Sequence, residues 1–156
     1  MAVKTRSGKD IMNTDWHFGT PVYRIEKPEW VTKLNKATDK YIKNAQKNLQ
    51  PELKDRKKIL GNKDYLKVKD HGVSYHSTPL NGDPNLKEIE TYIGHTAWNL
   101  LDEWGYDMSL YTMFFTEFWV QEFAKQGGGH HSTHVHWDNH ISGFYFLKCN
   151  DKTSYP

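Results

Sequence analysis

A chain of 156 residues with a net charge of +2 is about one domain long and has no charge excess that would draw nucleic acid or a membrane surface. Aromatic residues make up 14% of it, which favours a packed, β-rich interior over disorder. The single cysteine, Cys149, excludes an internal disulfide framework, and there is neither a signal-peptide core nor an apolar run of about 18 residues, so a soluble, cytoplasmic protein is expected.

The first fifteen or so residues are polar and are expected to be loose. Phe18 to Ile25 reads as a short strand, with Pro21 confining it to an edge or a strand start. Pro28 then suits the first turn of a helix. Along that helix Val31, Leu34, Thr38, Tyr41, Ala45 and Leu49 recur at steps of about three and four residues. Lys33, Lys36, Lys40, Lys43 and Lys47 recur on the other face, and with no arginine or aromatic residue interleaved they read as a solvated stripe.

Gln50 to Asp83 is polar and turn-rich, with short strands expected at Tyr65–Val68 and Gly72–His76. Its His71 and His76 read as ordinary surface or packing residues. Asp83-Pro84 is a good helix start, and Leu86, Ile89, Ile93, Ala97, Leu100, Leu101 and Trp104 mark a buried side that Gly105 ends. His95 and Trp98 on this helix read as packing residues. Ser109 to Phe123 is aromatic and β-branched on both alternating faces, which predicts a long buried strand. Glu117 would be costly inside it, so this carboxylate is expected to face the same cavity as the histidines that follow.

Those histidines are the most distinctive feature of the chain. Five of the nine fall between His130 and His140, after a turn at Gly127 to Gly129 and beside Asp138. Imidazoles with one carboxylate suit a divalent, iron-like ion. On a strand, His134, His136 and Asp138 would project from one face, but residues four apart lie about 13 Å from each other. Metal bonds are near 2 Å, so all three cannot reach one ion unless the strand bends. His136 with Asp138 is the preferred pair, and His134 with His136 the next; in the first case His134 is a pocket residue.

The element His134-Val-His136-Trp-Asp138, followed by Ser142-Gly143-Phe-Tyr-Phe-Leu, resembles the 2-oxoglutarate/Fe(II)-dependent oxygenases common in marine phages and bacteria. The lead-in Phe118-Trp119-Val-Gln-Glu and the start Thr20-Pro-Val-Tyr23 are also similar to that family. The resemblance implies an α+β chain whose core is a double-stranded β-helix, a cupin-like jelly roll, with the N-terminal helices on one side. It implies Fe(II), 2-oxoglutarate and O2 as reagents, and an organic substrate hydroxylated as 2-oxoglutarate is decarboxylated. His136 and Asp138 would be catalytic metal ligands, with His134 completing the set where the carboxylate does not. If the chain is phage-encoded, the compartment becomes the host cytoplasm.

The family pattern also needs a distal histidine and an arginine for the far carboxylate of 2-oxoglutarate. No histidine follows His140 and no basic residue follows Lys152, so residues 1–156 read as one oxygenase-like domain, C-terminally incomplete and inactive alone. Three alternatives stand beside this one. A zinc-type domain would use His130, His131, His134 and His136, though without a CxxC pair. A cupin-like enzyme without 2-oxoglutarate would use His134 and His136, and a non-enzymatic phage interaction protein would use none.

Overall fold

The computed structural model describes residues 3–4, 11–17 and 19–149. The architecture is α+β. In chain order it has β1 (Val3–Lys4), β2 (Ile11–His17), β3 (Thr20–Arg24), α1 (Val31–Asn48), α2 (Gln50–Val68), β4 (Ser74–His76), α3 (Lys87–Glu103) and β5 (Gln121–Phe123). Short 3₁₀ turns at Pro28–Trp30, Pro84–Leu86 and Met108–Leu110 join them. No helix among the described residues is long and apolar enough to cross a membrane.

The chain divides into two compact units, each described by itself. The first comprises Met1–Leu34, Gly82–Phe115 and Gly143–Pro156. Its sheet has the antiparallel order β1-β2-β3, with Asn13 opposite Arg24 and His17 opposite Thr20. Pro21 sits in β3, which has one partner among the described residues, so its missing N–H costs no ladder bond. The Asp83 carboxylate is buried and accepts from the Asn85 N–H at 2.9 Å, capping the turn that leads into α3. Leu86, Ile89, Ala97, Leu100 and Leu101 are buried, as their spacing predicts. The helix ends when the Gly105 N–H returns to the Asp102 carbonyl and the Tyr106 N–H to that of Leu101, at 3.0 and 3.1 Å. That paired closure places Gly105 at φ 91°, a conformation glycine adopts without a Cβ clash.

The second unit comprises Asn35–Asn81 and Thr116–Ser142. Ala45, Leu53, Val73, Tyr75 and Ala124 form its core, with Leu49 packed against them. Helix α1 follows its sequence pattern, since Leu34, Thr38 and Ala45 are buried and all five stripe lysines are exposed. Strands β4 and β5 are antiparallel, Tyr75 opposite Glu122. Bonds from Ser77 N–H to the Val120 carbonyl (3.0 Å) and from Leu80 N–H to that of Phe118 (2.8 Å) prolong the pairing as a ribbon.

Several expectations are corrected. Gln50 to Val68 is helix, so Tyr65–Val68 is no strand. Pro51 and Glu52 open it, Lys58–Asp55 and Lys67–Asp64 pairs (both 2.7 Å) brace it, and the backbone kinks at Gly61. Leu53 is the one residue buried along α2, which is why apolar periodicity gave no helix signal. Ile11–His17, most of it in the stretch expected to be loose, is strand because β3 pairs with Asn13–His17 and β1 with Ile11 and Met12. Residues 1–2, 5–10 and 18 lie outside the described residues.

The long strand over Ser109–Phe123 is reduced to Gln121–Phe123. Leu110 and Phe114 are 76% and 79% exposed, so the two-sided burial that would hold a strand there is missing. Neither the His134–Asp138 segment nor Ile141–Cys149 forms a strand, since neither finds a ladder partner among the described residues. Asp138 lies instead in a turn, at φ 63°.

Candidate functional site

The ribbon of β4 and β5 builds one wall of a cavity of about 360 Å³, lined by His76, Glu117, Trp119, His131, Ser132, His134, Val135 and His136. Alternation along β4 turns Tyr75 into the core and leaves His76 exposed on the other face. The His76 ring lies 4.2 Å, centroid to centroid, from Trp119, which sits just before β5. Trp119 in turn lies 5.8 Å from His131.

The histidine segment is led to this wall by the glycine turn. The Gly72 N–H donates to the Gly127 carbonyl (2.9 Å), and the Ser74 hydroxyl donates to the His130 carbonyl (3.0 Å). His71 donates through Nδ1 to the Gln126 carbonyl at 3.0 Å, and its ring then lies against Gly128. A Cβ at Gly128 would meet that ring at 2.6 Å, and φ there is 71°, so both space and backbone require glycine. Beyond the cavity, the Asn139 N–H returns to the His136 carbonyl (3.4 Å), and the Thr116 hydroxyl donates to Asn139 Oδ1 (2.8 Å).

Within the segment three imidazoles follow one another. His131 and His134 meet edge to face at 4.4 Å, and His134 and His136 at 4.8 Å. The Nε2 atoms of His134 and His136 are 3.0 Å apart. His134 Nδ1 lies 2.7 Å from the Ser132 carbonyl, an acceptor, so Nδ1 carries the proton and the neutral ring has its lone pair on Nε2. His136 Nδ1 lies 3.9 Å from Glu117 Oε2. His131 is held below the usual histidine value, first by desolvation and then by repulsion from His134, His76, His136 and His130. Both causes favour the neutral ring over the charged one.

The spacing of the two Nε2 atoms can be set against the geometry of a metal site. Bonds of about 2.0–2.1 Å at right angles put adjacent ligand nitrogens about 2.8–3.0 Å apart, whereas tetrahedral angles put them about 3.3–3.4 Å apart. The Nε2 pair matches the first figure. The same distance is that of an N–H···N hydrogen bond between the two rings. Among the described residues no group of three or more His, Cys, Asp and Glu side chains is arranged to hold a metal ion. The cavity thus brings two imidazole nitrogens together without a third arranged ligand.

His134 and His136 are brought together, the second of the two pairs considered from spacing. Asp138 is exposed and is not among the residues lining the cavity, nor are His130 and His140. Glu117 does line the cavity with the histidines, but it is exposed and outside any strand, so the expected burial cost is not what places it there. His76, read as an ordinary surface residue, joins the lining; its alternation with Tyr75 in a short strand was the available signal. His71 serves the glycine turn, and His95 is exposed on α3.

No protein-family model, curated protein or solved structure matches this chain.

Proposed function

We propose that the chain is an Fe(II)- and 2-oxoglutarate-dependent dioxygenase, an oxidoreductase of the hydroxylase type, with the histidine-lined cavity as its metal centre. One observation carries the metal assignment: two Nε2 atoms 3.0 Å apart, one of them with its lone pair fixed by the Ser132 carbonyl. The sequence likeness around His134-Val-His136 carries the choice of reaction and, with it, the double-stranded β-helix as the architecture of the family. When bound, iron and 2-oxoglutarate would supply the oxidising power for O2-dependent attack on a C–H bond. His134 and His136 would hold the ion, the Ser132 carbonyl would orient His134, and Trp119 would wall the cavity against water.

Among the described lining residues none is Lys or Arg, so no side chain here is assigned to the far carboxylate of 2-oxoglutarate. That observation favours a second reading, a cupin-like or zinc-type metal site without 2-oxoglutarate chemistry. The two are separated by loading the chain with Fe(II) under argon and adding millimolar 2-oxoglutarate. A visible charge-transfer band that needs both reagents, and is lost in His136→Ala, supports the dioxygenase. Tight metal binding with no such band moves the assignment to the second reading.

A further inference from the structure

We infer that the notch between His136 and Glu117 binds the ammonium group of a small organic cation. The placement of two protons decides it. His134 donates through Nδ1 to the Ser132 carbonyl at 2.7 Å, so its Nε2 is an acceptor. The 3.0 Å contact between the two Nε2 atoms therefore carries the His136 proton, and the neutral His136 ring has its lone pair on Nδ1. That nitrogen faces Glu117 Oε2 at 3.9 Å. Two acceptors thus meet across a gap too wide for a direct hydrogen bond, and neither brings a proton to it. An N–H donor placed about 2.9 Å from each satisfies both. The inference concerns the Nδ1 edge of His136 and does not rest on the metal reading, which uses Nε2.

The rest of the lining agrees on the charge. Glu117 is the one Asp, Glu, Lys or Arg side chain among the described lining residues, so the fixed charge of the cavity is negative. A water molecule also has two donors, but only a cation meets the Glu117 charge as well, and an anion would find two acceptors. A primary ammonium is compact and has three donors, two for the notch and one for solvent. Trp119 and Val135 line the same space and offer an indole ring and an apolar side chain to the carbon body of the ligand. The notch is also held together from behind. The Thr116 hydroxyl donates to Asn139 Oδ1, and the Asn139 N–H returns to the His136 carbonyl, so the segment bearing Glu117 is tied to the turn after His136.

Calorimetry on the full chain, with EDTA present and near about pH 8, where ordinary histidines are neutral, tests this with three probes. Benzylamine, benzyl alcohol and benzoate share one ring and differ in charge. Benzylamine should bind once per chain, and the other two about tenfold more weakly or worse. Glu117→Gln keeps an acceptor and loses the charge, so it should weaken benzylamine about tenfold, while Asp138→Asn stays within about twofold of wild type. Both side chains are exposed, so neither change disturbs the core. The ¹⁵N resonance of His136 Nδ1 should move upfield as it accepts the new N–H, with the ring proton still on Nε2. No benzylamine binding by the wild-type chain, equal binding of benzyl alcohol, tighter binding of benzoate, or unaltered affinity in Glu117→Gln would each overturn the inference. The metal reading stands or falls separately, by Co(II) binding without EDTA.

Discussion

Helix α1 and the histidine segment 130–140 are held in place by opposite means. The helix buries Leu34, Thr38 and Ala45 and turns its lysines outward, so many small apolar contacts share the task. In the histidine segment only Asn139 is even half-buried, and a few polar hooks keep it in position: Ser74 on His130, Thr116 on Asn139, and the glycine turn packed on His71. Burial is redundant and tolerant, whereas hooks are few and specific. Global stability and site geometry should therefore respond to different substitutions.

The largest effect on stability should come from the core that α1 shares with α2 and the ribbon. Leu53→Ala removes a buried side chain from the cluster with Ala45, Val73, Tyr75 and Ala124 and should cost about 2–5 kcal/mol in thermal or urea unfolding. Gly128→Ala should cost less, about 1–3 kcal/mol, because it forces a left-handed backbone onto alanine. Its Cβ also meets the His71 ring, so the histidine segment must shift and metal affinity should fall more than the stability loss explains. If Leu53→Ala and Gly128→Ala change affinity equally, the distinction between burial and hooks is broken.

A pH series sharpens the same comparison from the core side. The Tyr75 hydroxyl donates to Asp70 Oδ2 at 2.9 Å, and burial, followed by that carboxylate, pushes it from 10.0 up to about 12. The folded state thus prefers the protonated phenol. Its contribution is complete below about pH 10 and is lost as pH rises towards 12, so stability should fall across that window. Tyr75→Phe should start lower and fall less between those two values. The smallest effect belongs to the outer face of α1. Changing Lys36, Lys43 and Lys47 to Gln should move stability by less than about 0.5 kcal/mol each, read by thermal unfolding.

The contrast also explains what could be read from the residues alone. Helices α1 and α3 were legible because a buried stripe writes itself at 3.6-residue spacing, and Asp83, Pro84 and Gly105 mark the ends of the second. Helix α2 was not, because Leu53 is its one buried residue and local charge pairs do the rest. The aromatic run from Ser109 overstated the strand, since a strand needs a partner and only Gln121–Phe123 finds one in β4. At the site, the histidine cluster and Glu117 were visible as residue types. The His-x-Asp pattern favours His136 with Asp138 over His134 with His136, but the chain turns at Asp138 and it is the two histidines that meet. For His76 the alternation with Tyr75 is legible in the residues, but its place at the cavity follows from the pairing of β4 with β5.

The central claim is that His134 and His136 together chelate one divalent ion. It is tested most directly by adding substoichiometric Co(II) to ¹⁵N-labelled protein and following the imidazole resonances. The account predicts that His134 and His136 broaden first and that one ion saturates the chain. Even broadening across all nine histidines, or binding that persists when both His134 and His136 are changed to Ala, would contradict it.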